Sequence, residues 1–487
     1  MRDLSLLEQL NLRNNSLNGF IPLSLFNLSR LETLNLVYNS IEGTIPLEVG
    51  RLQRLKSLLL AANKLSGNIP KTVSNLSSLK LLSLSCEILL FLWNMPSLRM
   101  TGLGANHLKG NLFEEMCHYL PLLKVFDVDS NQLEGSIPQS ISNCTSLKEL
   151  YLDINSFTGF IPKGIGKLDK LSVLGLANNH LQGPIPSNIF NISTLRILRL
   201  AGNSLSGLLP SYLGIDLPNL EILWLQANDL IGQIPNSISN AFKLITLDLS
   251  SNKFNGAIPH LIGNLKYLIN LALDGNNLSG LIPNTINQLH SLQHLSLSNN
   301  RLQVSIINDL CQLESLTELN LANNMFTGAV PECLGKTSLQ QLDLSFNQLV
   351  SHLPSSLWSF KDILVLDISS NALSGVISPK VSNLRATILL NLSRNQTSGS
   401  IPTTKATLTT LQKLSLAHNK LQDPIPESLS GMISIESIDL SHNYLSGAIP
   451  KSLESLLYLK SIDLSYNLLM EKFQMVALFK ILLLNLL

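Results

Sequence analysis

Four aspartates recur at one position of a repeated Leu/Ile-Asp-Leu/Ile-Ser segment, and they are the first residues whose type and spacing suggest chemistry: Asp343, Asp367, Asp439 and Asp463. If that position points outward from a short strand, Asp439 and Asp463 lie one strand apart. Two carboxylates that close form a pair in which one pKa is raised, as in a hydrolase dyad. However, no second catalytic group accompanies them, so we expect a structural role and no enzymatic activity.

Two histidines, His418 and His442, stand in equivalent positions 24 residues apart. Two imidazoles from adjacent turns could share a metal ion. The next equivalent position holds Tyr466, which is not a strong third ligand. We therefore expect solvent-facing histidines and neither a metal nor another cofactor.

The five cysteines are Cys86, Cys117, Cys144, Cys311 and Cys333, and none has Cys-x-x-Cys spacing. This excludes the usual zinc-ribbon and thioredoxin patterns. Cys311 and Cys333 fall on neighbouring repeats, so a disulfide between them is plausible, with reduced, partly buried thiols as the alternative. Cys117 and Cys144 are expected to pack as small apolar residues.

The element that positions these residues is a repeat, represented by LITLDLSSNKFNGAIPHLIGNLKYL at residues 244–268. The Asn that closes each Leu-x-Leu-x-x-Asn recurs from Asn15 to Asn467, every 23 to 25 residues apart from one gap. Such a period indicates a leucine-rich repeat solenoid. We predict an α/β fold, a right-handed superhelix of about 20 repeats of ~24 residues with a parallel sheet on the concave face.

Each part of the repeat has a physical role. Leu-x-Leu alternates with period 2 and predicts a short strand whose leucines face inward. The recurring Asn is expected to form an internal ladder that satisfies buried backbone groups. Gly256 permits a tight bend, Ile258-Pro259 favours an extended segment, and Leu-Gly-x-Leu predicts a short 3₁₀ or irregular helix.

Two segments depart from the pattern within a repeat array assigned to residues 1–469. The turn at residues 79–97 is shortened and carries Glu87 where the ladder Asn belongs. The tail at residues 470–487 is apolar, lacks the Gly-x-Ile-Pro of a further repeat, and is interpreted as a frameshift product.

Composition excludes several classes of protein. Lys+Arg number 34 against 33 Asp+Glu, without a basic tract, so nucleic acid is not an expected partner. The N-terminus shows no signal peptide, and the longest apolar stretch, residues 473–487, is shorter than the roughly 20 residues that a transmembrane helix needs.

The units LRILRLAGNSLSGLLPSYL (195–213) and IESIDLSHNYLSGAIPKSL (435–453) follow the plant-specific repeat pattern LxxLxLxxNxLxGxIPxxL. The chain thus resembles the extracellular domain of plant leucine-rich-repeat receptor-like Ser/Thr kinases. The segments LGANHLKGNL (103–112), ISNCTSLKELYL (141–152) and NDLCQLESLTELNL (308–321) are most similar to the branch of the flagellin and elongation-factor-Tu receptors.

That resemblance implies a peptide or microbial ligand on the concave face, sensed in defence or development. It also implies a short leucine-rich-repeat co-receptor near the C-terminal repeats and a place on the extracellular side of the plasma membrane. No kinase motif occurs in this chain, so the kinase activity of the family does not carry over.

Residues at outward strand positions are the candidate ligand-binding set, and Trp224 is the strongest candidate because tryptophan is enriched in interface hot spots. The set is Asp127, Asp129, Tyr151, Asp153, Arg199, Trp224, Gln226, Asp248, Asp274 and His294.

Glycosylation sequons of the form Asn-x-Ser/Thr include Asn27, Asn75, Asn143, Asn191 and Asn277, the first four on the convex segment. The sequence therefore favours a non-catalytic recognition solenoid. The alternatives are a kinase-less receptor-like or enzyme-inhibitor repeat protein, and a truncated product without independent function.

Overall fold

The computed structural model describes residues 4–84, 95–403 and 408–470. The chain forms two compact units, Met1–Leu244 and Ile245–Leu487, and each is a series of similar turns. Every regular turn consists of a three-residue strand, a second short strand and a short helix that returns the chain to the next turn. The predicted leucine-rich repeat fold is confirmed.

In the first unit the Leu-x-Leu segments form parallel strands, each paired with the strand of the next turn. Within the described residues of this unit they are Gln9–Asn11, Thr33–Asn35, Ser57–Leu59, Leu81–Ser83, Met100–Gly102, Val125–Asp127, Glu149–Tyr151, Val173–Gly175, Ile197–Arg199 and Ile222–Trp224. We call the surface formed by their outward residues, and by the residues directly after them, the strand face.

The second unit repeats this arrangement with parallel pairing throughout. Its described Leu-x-Leu strands are Thr246–Asp248, Asn270–Ala272, His294–Ser296, Glu318–Asn320, Gln341–Asp343, Val365–Asp367, Leu389–Asn391, Lys413–Ser415, Ser437–Asp439 and Ser461–Asp463.

A second series of strands covers the segment after the ladder Asn, where the sequence indicated only a bend. Many of these strands contain a glycine with positive φ, such as Gly256 at +76°, which other residues rarely adopt. In the first unit they are Asn18–Gly19, Ser40–Gly43, Lys64–Leu65, Lys109–Asn111, Gln132–Ser136, Ser156–Phe160, His180–Pro184, Ser204–Leu208 and Asp229–Gln233. In the second unit they are Lys253–Gly256, Asn277–Gly280, Arg301–Ser305, Met325–Thr327, Ser374–Val376, Gln396–Ser400, Lys420–Gln422, Ser446–Gly447 and Leu468–Leu469.

The return segments are short helices, most of them 3₁₀, as predicted for Leu-Gly-x-Leu. Ile-Pro precedes many of them, and the proline is extended, as at Pro70 with φ −66° and ψ 139°. In the first unit they are Leu23–Asn27, Leu47–Arg51, Lys71–Asn75, the α-helical turn Met116–Tyr119, Gln139–Asn143, Lys163–Lys167, Ser187–Asn191 and Asn236–Asn240. In the second unit they are Ile262–Asn264, Asn284–Gln288, Asn308–Gln312, Leu334–Lys336, Ser355–Ser359, Pro379–Asn383, Glu427–Gly431 and Lys451–Ser455.

The predicted asparagine ladder is confirmed, and Asn179 illustrates it. Its Nδ2 donates to the carbonyls of Leu152, Leu176 and Ala177 at 3.0, 3.2 and 3.2 Å, and its Oδ1 accepts from the Phe157 N–H at 3.0 Å. One buried side chain thereby bonds backbone groups of two successive turns, as buried polar groups require.

The shortened turn leaves the strand register intact. Leu82 pairs with Thr101, a step of 19 residues, and the Nδ2 of Asn106 still donates to the Leu84 carbonyl at 2.9 Å. Residues 85–94, including Cys86 and Glu87, lie outside the described residues, as does the tail from residue 471. Among the residues that the structure describes, no helix combines the length and hydropathy that crossing a membrane requires.

Candidate ligand-binding face

Seven of the ten predicted ligand-binding residues lie together in one hollow on the strand face of the first unit. The hollow has a volume of about 520 Å³. The seven are Asp127, Asp129, Tyr151, Asp153, Arg199, Trp224 and Gln226. The other three, Asp248, Asp274 and His294, lie in the second unit and do not line it.

Strand register arranges these side chains in two rows. Asp127, Tyr151, Gly175, Arg199 and Trp224 are successive partners in the parallel pairing, so they form one continuous row. A second row lies two residues further along each turn and contains Asp129, Asp153 and Gln226. A ligand lying across the strands would meet both rows.

An ion pair crosses the hollow. Arg199 Nη2 donates to Asp153 Oδ2 at 2.9 Å, and Asp153 Oδ1 accepts from the Ala177 N–H at 2.9 Å. Gly175 lies between the two charged residues: a Cβ there would overlap Asp153 Oδ2 and lie 3.0 Å from Arg199 Nη2. Burial raises the pKa of Asp153, and the Arg199 guanidinium opposes that rise. The missing side chain at Gly175 is therefore what allows the pair to form.

Tyr151 holds Arg199 from a second direction. The Arg199 guanidinium lies 5.5 Å from the centre of the Tyr151 ring, within cation–π range. The Tyr151 hydroxyl donates to Glu149 Oε2 at 2.9 Å, and burial together with this carboxylate raises the Tyr151 pKa to about 12. Arg199 Nε and Gln226 Oε1 are buried without a hydrogen-bond partner among the described residues. These two atoms are unsatisfied polar groups at the floor of the hollow.

Asp127 and Asp129 form the acidic end of the hollow. The Asp129 N–H donates to Asp127 Oδ1 at 3.2 Å, and Ser130 Oγ donates to Asp129 Oδ2 at 3.0 Å. Burial, together with the adjacent Asp129 side chain, raises the pKa of Asp127 to about 7. Gly104 makes room for the pair, because a Cβ there would overlap Asp129 Oδ1 and lie 3.1 Å from Asp127 Oδ1. A ligand cation could replace the proton that this pair retains near neutral pH.

The three predicted residues of the second unit have separate environments. Asp248 Oδ1 accepts from the Ser250 N–H and hydroxyl at 3.0 and 2.7 Å, while burial raises the Asp248 pKa. Asp274 follows the next strand and is half-buried. His294 lies in a smaller hollow, with its Nε2 3.7 Å from Glu318 Oε1.

The aspartates first considered for acid–base chemistry are bound to their own backbone. Oδ1 of Asp343, Asp367, Asp439 and Asp463 accepts from the N–H of the serine two residues later at 2.9 to 3.1 Å. A raised pKa, which was considered for one member of the Asp439–Asp463 pair, is not found at Asp463. Hydrogen bonds from the Ser465 hydroxyl and N–H hold the pKa of Asp463 below its usual value.

His418, His442 and Tyr466 form a column of stacked rings, with centroids 4.0 and 4.1 Å apart. Each directly precedes a ladder Asn, so the same position in three turns builds the column. Burial and the neighbouring His442 lower the pKa of His418. Within the described ranges, no group of three His, Cys, Asp or Glu side chains is arranged to hold a metal ion.

Both pairs of described cysteines are bonded. Cys311 is joined to Cys333, with Cα atoms 5.8 Å apart. The expectation that Cys117 and Cys144 only pack as apolar residues is wrong, because they form a second disulfide with Cα atoms 4.9 Å apart. Their separation of 27 residues, close to one repeat, is the sequence signal that would have indicated this pair.

The sequon asparagines occupy two kinds of position. Asn27, Asn75, Asn143 and Asn191 are the exposed last residues of four 3₁₀ helices, on the side away from the strand face. Asn277 is exposed at the first residue of a second-series strand.

Comparison with known proteins identifies the repeat. Family models described as leucine rich repeat match residues 121–181, 242–302, 266–326 and 409–469, and a second such model matches residues 6–28, 30–52, 194–214, 219–241 and 338–360. No curated protein matches the chain in sequence.

Solved structures of plant receptors are similar along almost the whole chain. The plant peptide hormone receptor RGFR1, in complex with RGF2, is 35% identical with a TM-score of 0.88 over 96% of this chain and 76% of its own. A TDR receptor is 33% identical with a TM-score of 0.87, over 97% and 86%. The Arabidopsis receptor kinase HAESA, with the peptide hormone IDA and the co-receptor SERK1, is 31% identical with a TM-score of 0.71, over 95% and 83%.

Proposed function

We propose, from the premise that this chain belongs to the leucine-rich repeat family of plant receptor ectodomains, that it is a non-catalytic module which recognises a peptide ligand on its strand face. The hollow of the first unit is the proposed anchor. Two similar structures, the peptide hormone receptor RGFR1 with RGF2 and HAESA with the peptide hormone IDA, support a peptide as the class of ligand.

The single observation that carries the proposal is the construction of the hollow. Asp153 and Arg199 are joined across Gly175, and Tyr151 and Trp224 flank Arg199 in the same row. Burying such a pair is costly unless its hydrogen bonds are well made, so its purpose is more plausibly specificity than stability. Aromatic and arginine side chains of this kind dominate binding energy at interfaces.

The hollow favours a ligand of mixed chemistry. The Asp127–Asp129 pair offers two carboxylates without an ion-pair partner among the described residues, so it suits an ammonium or guanidinium group. At the other end, Trp224 offers apolar surface beside the unpaired Gln226 Oε1, which can accept from a peptide N–H. An extended peptide lying across the strands would reach both ends.

The experiment is selection from a random peptide library displayed on phage, with the full chain immobilised. We expect enriched peptides to lose at least about tenfold in affinity for Arg199→Ala and Trp224→Ala. Arg196→Ala is the matched control, because Arg196 forms an exposed ion pair with Glu221 at 2.8 Å and does not line the hollow. Failure to enrich any peptide, or equal binding by all three variants, would overturn the proposal.

The wider role is part of the same proposal. A shorter leucine-rich-repeat co-receptor would dock near the C-terminal repeats, as the SERK1 complex of HAESA suggests for a protein of this family. The module would act on the extracellular side of the plasma membrane, sensing its ligand in defence or development. Its relationship to the flagellin and elongation-factor-Tu receptors belongs to this proposal too.

A further inference from the structure

Four sequons occupy the same position in four turns of the first unit. Each Asn ends a five-residue 3₁₀ helix: Leu23–Asn27, Lys71–Asn75, Gln139–Asn143 and Ser187–Asn191. All four asparagines are exposed, and in each case the next residue is buried. Those buried residues are Leu28, Leu76, Cys144 and Ile192, at 3%, 1%, 1% and 2% exposure.

The folded backbone is nearly the same at the four sites. The residue after Asn27 has φ −79° and ψ 74°, the one after Asn75 −78° and 70°, the one after Asn143 −75° and 57°, and the one after Asn191 −79° and 89°. The native fold therefore presents all four Asn side chains to solvent in the same way. A glycan attached to any of them would extend away from the strand face.

One chemical difference separates Asn143 from the other three. The middle residue of its sequon, Asn143-Cys144-Thr145, is bonded to Cys117, which is itself buried at 4% exposure. Leu28, Leu76 and Ile192 occupy the same buried position without any covalent partner. The disulfide therefore adds a covalent restraint at one sequon that the other three lack.

N-glycosylation would use the side-chain amide of Asn143, and disulfide formation uses the thiols of Cys117 and Cys144. In glycan transfer, the Asn143 Nδ2–C1 bond forms, the C1–O bond to the diphosphate of a lipid-linked oligosaccharide breaks, and the amide proton leaves with the diphosphate. In disulfide formation, one thiolate attacks the disulfide of an oxidoreductase, and the second then displaces it. Two protons leave the cysteines, and the oxidoreductase takes up their two electrons as its own dithiol.

We propose that Asn143 is an N-glycosylation site whose occupancy is limited by the Cys117–Cys144 disulfide. Transfer requires the tripeptide to be extended and accessible, whereas the disulfide holds Cys144 buried at the end of a 3₁₀ helix. If the disulfide forms first, the glycan is excluded. If the glycan is added first, the disulfide can still form, because Asn143 is exposed in the fold. The order of the two reactions decides the product.

The competition is kinetically reasonable. Cys117 precedes Cys144 by 27 residues, so it is already present when the sequon is synthesised. Closing this loop of 27 residues costs only slightly more entropy than closing a shorter one, since the cost grows logarithmically with length. The inference rests on the proposed function in one respect: an ectodomain passes through the oxidising secretory pathway, where both enzymes act.

The test is site-by-site glycan occupancy, measured by mass spectrometry after the full chain is directed into the secretory pathway of a plant cell. Asn27, Asn75 and Asn191 are internal controls, because they share the position of Asn143 and lack a cysteine. We expect Asn143 to be occupied at least about twofold less than these sites, since thiol oxidation competes only there.

Two variants complete the design. Cys117→Ser removes the partner thiol, and Cys144→Ile converts the sequon to the Asn-Ile form of Asn191. Both should raise Asn143 occupancy to the level of the controls. Occupancy is read from retained and secreted protein alike, because a glycan that has been attached stays on a variant that later misfolds.

The outcomes are distinguishable. Equal occupancy at all four sites in the unmodified chain, or an Asn143 site that stays unoccupied in both variants, would overturn the coupling. Absence of glycan at Asn27, Asn75 and Asn191 would overturn the assignment of this helix-end position as a glycosylation site. Loss of peptide binding by the hollow would instead contradict the proposed function and leave the occupancy pattern unchanged.

Discussion

Arg199 and Asp153 are bonded at 2.9 Å although two repeats separate them in the chain, because the residue between them on the strand face is Gly175. The side chain of Asp153 is only 9% exposed and that of Arg199 is 28% exposed. The ion pair therefore depends on glycine at position 175, because any other side chain there would overlap the Asp153 carboxylate.

Gly175→Ala should break this arrangement. Its Cβ would overlap Asp153 Oδ2, so the carboxylate must shift and leave Arg199 poorly paired. We expect a loss of about 1–3 kcal/mol in the free energy of unfolding, as for other overpacked sites. Thermal unfolding and peptide binding would both report the change.

Gly102→Ala is the control, since Gly102 pairs with Asp127 in the same row and its added Cβ would lie 3.3 Å from Ser83 Oγ. A hydroxyl can rotate away, so this variant should unfold close to the parent temperature. If both variants unfold alike, Gly175 has no special role.

Asp127 makes stability depend on pH. Its folded pKa of about 7 lies above the ordinary value of 3.8, so the native state binds the extra proton between these values. Stability from this group is therefore fully present below pH 3.8 and is lost as pH rises through 7. Asp127→Asn should melt higher than the parent at pH 7.5, and the difference should vanish near pH 4.

Asp463→Asn provides the comparison for that titration. The pKa of Asp463 is lowered by bonds from Ser465, so its contribution has the opposite sign and is lost as pH falls below 3.8. No gain in melting temperature is expected at pH 7.5 for this variant. A flat difference between Asp127→Asn and the parent across the whole range would contradict the assignment.

A cavity in the second unit predicts a stabilising substitution. Leu390, Leu392, Leu414 and Leu416 are among the residues that line a cavity of about 40 Å³. Val381 also lines this cavity, at the position where another turn carries the larger buried residue Ile165.

Val381→Ile should therefore raise the free energy of unfolding by about 0.5–2 kcal/mol, the usual gain from filling a cavity. Val376→Ile makes the same change at an exposed position of a second-series strand and should bring no gain. Urea unfolding of the two variants side by side decides the point, and a destabilised Val381→Ile would refute it.

Replacing a ladder Asn by Ala should lower the free energy of unfolding most where that Asn is most buried. Asn179→Ala removes an acceptor for one backbone N–H and a donor for three carbonyls, all within the array. The Phe157 N–H loses its acceptor, whereas the three carbonyls keep bonds from Asn155, Asn203 and Ile154, so we expect a cost of about 1–3 kcal/mol. Asn15→Ala should cost less, because Asn15 is exposed and, among the described residues, its Nδ2 bonds Leu12 and Arg13 alone. Equal losses would show that the bonds do not determine the effect.

Sequence alone predicted the features that depend on periodicity. The position of Asn179 in the ladder, the inward leucines and the 3₁₀ helices of the return segments all follow from one repeated spacing. Recognising that spacing in one turn therefore predicts the same elements in the other turns. It also selected Arg199 and Trp224 as outward residues, and the structure brings them into one hollow.

Features that depend on a departure from the repeat were harder to predict. Predicting the Asp153–Arg199 ion pair requires knowing that Gly175, which has no side chain, lies between the two residues. That position follows only from the strand register. The hydrogen bond from the Ser465 N–H to the Asp463 carboxylate is likewise seen only in the structure. Cys117 and Cys144 are 27 residues apart, which is close to one repeat, but the disulfide was missed because Cys117 lies in the α-helical turn Met116–Tyr119 and not in a regular 3₁₀ return.

The short step from Leu82 to Thr101 has a consequence for how this surface can change over generations. The strands remain paired although the return path between them is several residues shorter than in other turns. Lengthening or trimming on the helical side is thus decoupled from the geometry of the strand face. Variation in length there is tolerated, while new binding specificities can arise by single substitutions in the two rows of the hollow.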